Sequence, residues 1–228
     1  MTPQDALVAL EQLGDADKAV EMAAYHKIER RYLGVPSATL DAHAKDWRET
    51  LTLSDRLTLA QGLWETDVFE ARITAAKLLT QARIRPDDTP AWDTIQSWVP
   101  EFDSWAIADA VSSAGSRRLI ADPARLDVIE GWTTSDHLWT QRAAMVMTLP
   151  WTKQSHPKPA ELEARERILG WAARYATNPE WFIQKAVAWW LRELSKRDPE
   201  RVRIFIALHG EKMSKFARTE AQRLLKPA

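Results

Sequence analysis

Cysteine is absent from the 228 residues, which excludes a disulfide framework and any thiolate-held metal. Glycine is scarce, seven in all, and none lies in a Gly-rich phosphate loop, so a nucleotide-binding α/β fold finds no support. There is no run of about eighteen apolar residues, and the N-terminal stretch MTPQDALVALEQLGDADKA lacks a basic leader followed by an apolar segment. A cytoplasmic protein with no membrane partner is the expectation. The histidines, His26, His43, His137, His156 and His209, show no His-x-x-x-His spacing and read as solvated or capping residues, not as metal ligands. What the chain does have is tryptophan: twelve, within a hydrophobic content of 45%, enough for a substantial core.

A formal net charge of −1 hides an uneven distribution. Residues 1–110 carry 11 Lys and Arg against 19 Asp and Glu, a balance of −8, whereas residues 111–228 carry 20 against 13, a balance of +7. Such asymmetry can produce a local field for a polyanion on a nearly neutral molecule; solvated helix faces rich in lysine and arginine would produce the same count.

Apolar residues recur at helical spacing almost throughout, with hardly any alternation of the strand type. The pattern predicts helices near 3–13, 16–33, 38–49, 53–65, 68–83, 89–98, 102–118, 123–131, 136–148, 159–176, 180–196, 199–208 and 211–225. Ser37, after Pro36, is the expected N-cap of the third, and LPWTKQSHPKPAE is the longest irregular connector. No low-complexity linker divides the chain, so one domain over 1–228 is expected. Three segments repeat a motif: VFEARITAAKLL (68–79), LWTQRAAMVM (138–147) and WFIQKAVAWW (181–190) each place a basic residue three positions after an aromatic, in the pairs Phe69/Arg72, Trp139/Arg142 and Phe182/Lys185. Repeated helical pairs suggest an all-α, HEAT-like curved solenoid, although the irregular spacing by itself leaves a compact helical bundle open.

Two helices divide their faces in a way that burial alone does not require. At about 100° per residue, Phe182, Ile183, Ala186, Val187, Trp190 and Leu194 form an apolar stripe, and Trp181, Lys185, Trp189, Arg192 and Lys196 fall opposite it. In EFDSWAIADAVSSAGSRR (101–118), Ile107, Ala110, Val111 and Ala114 make the stripe, and Trp105, Asp109, Ser112 and Ser116 lie across from it. Trp105 and Asp109 therefore project one turn apart on the same face.

The segments WFIQKAVAWWLRELSK, LWTQRAAMVM and YHKIERRYLGVPSATL, together with the Trp-x-x-x-Asp helix, closely resemble those of the AlkD-like DNA alkylation repair family, DNA glycosylases built from HEAT-like repeats. The resemblance spans roughly residues 18–222, and the Phe-Ile-Gln-Lys-Ala run is its most specific part. It departs from the family's Trp-Trp-Asp-x-x-Asp pattern at Ser104 and Ala106. The resemblance implies that Asp109 is the catalytic carboxylate and that Trp105 and Trp189 are indoles flanking the sugar of the damaged nucleotide. It also implies that Arg142 holds the DNA backbone and that Tyr25 lines the cleft; Lys185, Trp181 and Arg192 are expected to contact DNA with them. A monomer acting on double-stranded DNA containing alkylated bases, with no cofactor, follows. Non-enzymatic binding of damaged or branched DNA, or a protein-binding scaffold, would use the same fold.

Overall fold

In the computed structural model, described over residues 1–225, the chain forms thirteen α-helices and no named strand among the described residues. Its contacts fall into two compact units, Met1–Ala121 and Asp122–Ala228, within what the sequence suggests is one domain. The first carries 13 Lys and Arg against 19 Asp and Glu, a balance of −6; the second carries 18 against 13, a balance of +5. None of the helices among the described residues is long and apolar enough to cross a membrane.

Unit 1 contains α1 (Pro3–Gln12), α2 (Ala16–His26), α3 (Ser37–Thr50), α4 (Leu53–Glu65), α5 (Phe69–Leu78), α6 (Thr89–Trp98) and α7 (Trp105–Ala121). Helix α5 is its centre, packed on α3, α4 and α7 and buried over most of its circumference. The indoles of Trp64 and Trp98 stack in the core with ring centroids 4.5 Å apart, and their ring N–H groups donate to Glu101 and Gln61. A buried indole brings a large apolar area, and its single donor needs a partner. Trp47, Trp64, Trp92, Trp98, Trp151, Trp171 and Trp190 are all buried, so seven of the twelve tryptophans are explained by core packing. Trp105, Trp132, Trp139, Trp181 and Trp189 keep part of their surface in solvent and are open to a further role.

Helical periodicity overreaches at 16–33. Helix α2 stops at His26, Lys27 takes the left-handed conformation (φ 55°), and the chain then runs extended into a single bridge between Arg31 and Val68. Buried Glu70 on α5 causes this. Its carboxylate accepts the backbone N–H of Leu33 (2.9 Å), Gly34 (2.7 Å) and Val35 (3.2 Å), three donors that a continued helix would have spent on itself. Gly34 sits at φ 79° against the carbonyl of Asp15, where a Cβ would approach to 2.0 Å. Nor is Ser37 the N-cap of α3: Pro36 occupies that place without a side-chain bond, and the Ser37 hydroxyl accepts from Lys77 Nζ at 3.3 Å.

Unit 2 contains α8 (Leu126–Trp132), α9 (Leu138–Met147), α10 (Pro159–Tyr175), α11 (Trp181–Ser195), α12 (Pro199–His209) and α13 (Lys215–Gln222). Helix α11 is its centre, packed on α9, α10, α12 and α13. The buried amide of Gln184 ties three of these together. Its Nε2 donates to the carbonyls of Tyr175, Ala176 and Asn178 at and after the end of α10, and its Oε1 accepts the Ser214 N–H ahead of α13. It thus satisfies carbonyls that a helix C-terminus leaves orphaned.

Candidate functional site

Helix α7 begins at Trp105, after Ser104, whose carbonyl accepts the Ala108 N–H. Ile107, Val111 and Ala114 are buried as the periodicity requires, while Trp105 and Asp109 are partly exposed one turn apart. The exposed face is rotated from the expected one: Ser112 is buried, whereas Ala110 is partly exposed and Ser113 fully so. Packing of α7 against both α5 and α6 covers more of its surface than a single stripe would predict.

Around Trp105 the end of α2 supplies a cluster of rings. Tyr25 is 69% exposed and meets the indole edge-on, with centroids 6.0 Å apart. The His26 ring lies 5.4 Å from Trp105 and 4.5 Å from Phe69, and Tyr32 lies 4.8 Å from Phe69. Burial pushes the His26 imidazole below its usual pKa, because charging the ring would cost its desolvation, and this favours the neutral form. His26 is thus neither the solvated nor the capping histidine that its sequence context suggests; its place among aromatic rings depends on α2 ending where Glu70 makes it end. The face formed by Trp105, Ala106, Ala110 and Ser113, together with His26 and Phe69, lines a pocket of about 480 Å³ within unit 1.

In unit 2 the expected division of α11 is present except at Phe182, expected in the buried stripe. Ile183, Ala186, Val187, Trp190 and Leu194 are buried, Phe182 and Trp189 are partly exposed, and Trp181, Lys185 and Lys196 are exposed. Trp181, 49% exposed, stacks on Phe216 of α13 with centroids 5.8 Å apart and planes 24° from parallel. Lys185 Nζ stands 4.7 Å from the Trp181 ring centroid, within cation–π range. Phe216 escapes a reading of the sequence, since a lone aromatic in a short helix carries no periodic signal.

The two arginines expected on DNA are engaged within unit 2. Arg142 is 2% exposed and donates from Nη1 to the Phe182 carbonyl at 2.9 Å, joining α9 to the first turn of α11. Arg192 pairs with Glu220 and Glu193. For Arg142 the repeated aromatic-basic motif offers a parallel: Arg72, which matches it in the repeat, is likewise buried, against the Trp64 carbonyl and Glu101. Two of the three basic residues of the repeat thus serve packing, whereas the third, Lys185, is exposed. The Phe-Ile-Gln-Lys-Ala run has a similar logic, for Phe182 accepts from Arg142, Gln184 joins three helices and Lys185 alone of its polar side chains is exposed.

The sequence profile described as DNA alkylation repair enzyme matches residues 6–225. The chain belongs to the DNA alkylation repair enzyme family. Among solved structures, it resembles a predicted DNA alkylation repair enzyme from Enterococcus faecalis at 20% identity and a TM-score of 0.78, over 94% of this chain and 98% of the other. It also resembles AlkD2 from Streptococcus mutans at 18% identity and a TM-score of 0.67, over 99% of this chain and all of that one (100%). No curated protein sequence matches. Likeness at such identities concerns the fold, and the two structures give this DNA alkylation repair family member an AlkD-type all-helical architecture.

Proposed function

We propose that the protein is a monofunctional DNA glycosylase that hydrolyses the N-glycosidic bond of cationic N3- or N7-alkylated purines in duplex DNA. The observation that carries the reading is the Trp105–Asp109 pair, partly exposed one turn apart on α7 beside Tyr25. A purine alkylated at N3 or N7 bears a positive charge and is an activated leaving group. As its C1′–N bond breaks, the electron pair leaves with the base and neutralises it, and positive charge develops on the sugar. The Asp109 carboxylate stabilises that charge and orients the water that adds to C1′, whose proton passes to solvent. The Trp105 indole face holds the sugar.

In unit 2, Trp181 and Trp189 are assigned to nucleotide contacts and Lys185 to phosphate. Arg142 and Arg192 are assigned to holding α11 in place, so that they support DNA binding through the helix. Replacement of Lys185 by Gln is expected to weaken duplex binding and to lower the slope of log affinity against log salt by about one unit, the loss of one phosphate contact. Trp181→Ala should weaken binding with the slope unchanged. Fluorescence anisotropy across a salt series distinguishes the two; an affinity independent of salt removes the electrostatic reading.

Excision assays on four lesions in duplex DNA test the chemistry. N7-methylguanine and N3-methyladenine should be released, with little or no release of uracil or hypoxanthine, whose departure needs protonation by an acid that this mechanism does not contain. Efficient uracil release would overturn selection by charge. Binding without release of any base would instead make the protein a non-enzymatic reader of damaged or branched DNA.

A further inference from the structure

Helix α2 buries none of its eleven residues, yet it ends on two rings of the site, Tyr25 and His26, whose centroids lie 6.0 and 5.4 Å from that of Trp105. Packing along the helix does not fix those rings; anchors beyond its end must. Glu70 is one, on Leu33, Gly34 and Val35. Arg30 is the other. Its side chain is only 6% exposed; Nη2 donates to Asp103 Oδ2 at 2.5 Å, across 73 residues, and Nη1 stands 2.6 Å from Asp67 Oδ1. Asp103 lies two residues ahead of Trp105, the first residue of α7. Among the described residues Arg30 is the one hydrogen-bond partner of the Asp103 carboxylate, whose Oδ1 is shielded and unmatched. A planar guanidinium fixed by two carboxylates sets orientation as well as distance. Arg72 also meets Asp67 but reaches Glu101 besides, and so holds α5 to the turn before α7 independently of Arg30. Phe102, buried just ahead of Asp103, keeps that turn on the core. Loss of Arg30 would therefore shift the rings against one another without releasing α7.

We propose that Arg30 is a positioning residue of the site: held between Asp67 and Asp103, it sets Trp105 against Tyr25 and His26 and so aims the indole and, one turn on, the Asp109 carboxylate. It touches no substrate. Its effect on base release rests on the glycosylase reading above; its placing of Trp105 does not.

The test compares Arg30→Met, which removes the charge and keeps the stem, with Asp103→Asn, which neutralises the partner at constant shape. Far-UV circular dichroism melts verify that each folds. In proton–nitrogen correlation spectra of the intact protein without DNA, the indole cross-peak of Trp105 is identified by its loss in Trp105→Phe. That cross-peak should move in both variants while most of the remaining indole cross-peaks stay. Single-turnover release of N7-methylguanine should fall about 10–100-fold, the scale of a small misplacement of reacting groups. Arg30→Lys keeps the charge without the fork and should restore part of the rate. The slope of log affinity for duplex against log salt should match wild type, because Arg30 meets carboxylates and not phosphate. A Trp105 cross-peak unmoved in both variants overturns the proposal, as does movement of all the indole cross-peaks together with a fall in melting temperature, the mark of a merely structural residue. A slope lower by about one unit would instead make Arg30 a phosphate contact. The two readings fail separately. Wild-type release with both variants at full rate removes the positioning role and leaves the glycosylase; a moved cross-peak in a protein that releases no base removes the glycosylase and leaves Arg30 as the residue that places Trp105.

Discussion

Asp109→Asn is expected to lower base release from methylated duplex DNA by about 10²–10³-fold, the scale seen when one electrostatic stabiliser of a transition state is removed. The substitution is nearly isosteric and takes away the charge, and it lies on a part-exposed face of α7 whose packing residues are Ile107, Val111 and Ala114. The backbone carbonyl of Asp109 accepts the Ser113 hydroxyl at 3.0 Å, a bond the change leaves in place. Helicity and duplex affinity should therefore survive. Single-turnover release of N7-methylguanine, measured beside binding and a thermal melt, separates these quantities. Release at the wild-type rate would dismiss the carboxylate from the mechanism, and joint loss of binding and helicity would mean that Asp109 is structural.

Glu70→Ala should cost more stability than Asp109→Asn, Lys185→Gln or Trp181→Ala, about 3–5 kcal/mol. Three buried N–H groups lose their acceptor, and each unmatched buried donor costs about 1–3 kcal/mol, partly relieved by water entering the space left behind. The extended segment after α2 would keep on α5 only the bond between Phe69 N–H and the Arg31 carbonyl at 3.0 Å and the contact of the Tyr32 and Phe69 rings. Glu70→Gln retains one acceptor oxygen but turns an amide N–H₂ toward a backbone donor, so an intermediate loss is expected. Chemical denaturation of wild type and the two variants checks the order. A midpoint for Glu70→Ala equal to wild type would show that solvent satisfies those donors at no cost. The same variant should disturb the ring cluster, because Tyr25 and His26 owe their position to the end of α2.

The candidate site is legible in the sequence only in part. Trp105 and Asp109 stand out because a four-residue interval on a helix fixes their common face, whatever the helix packs against. Trp181 and Lys185 stand out by the same rule. Arg142 and Arg192 read as free surface cations, but the first is buried and the second is ion-paired, because periodicity reports which side of a helix a residue occupies, not whether another element meets that side. Phe182 and Glu220, forty and twenty-eight residues away respectively, decide those two environments.

Alone, the sequence determined the all-α class, most helix positions, the apolar stripes of α7 and α11 apart from Ala110 and Phe182, and the pairing of an indole with a carboxylate, since each depends on residues within a few turns of one another. The end of α2, the burial of Arg142, the pairing of Arg192 with Glu220, the joining of α10, α11 and α13 by Gln184 and the pocket beside Trp105 were decided only in the tertiary structure. Each of these rests on a partner distant in the chain, as Leu33 rests on Glu70 across 37 residues, and a buried hydrogen bond made at that distance outweighs the local preference of the segment it captures.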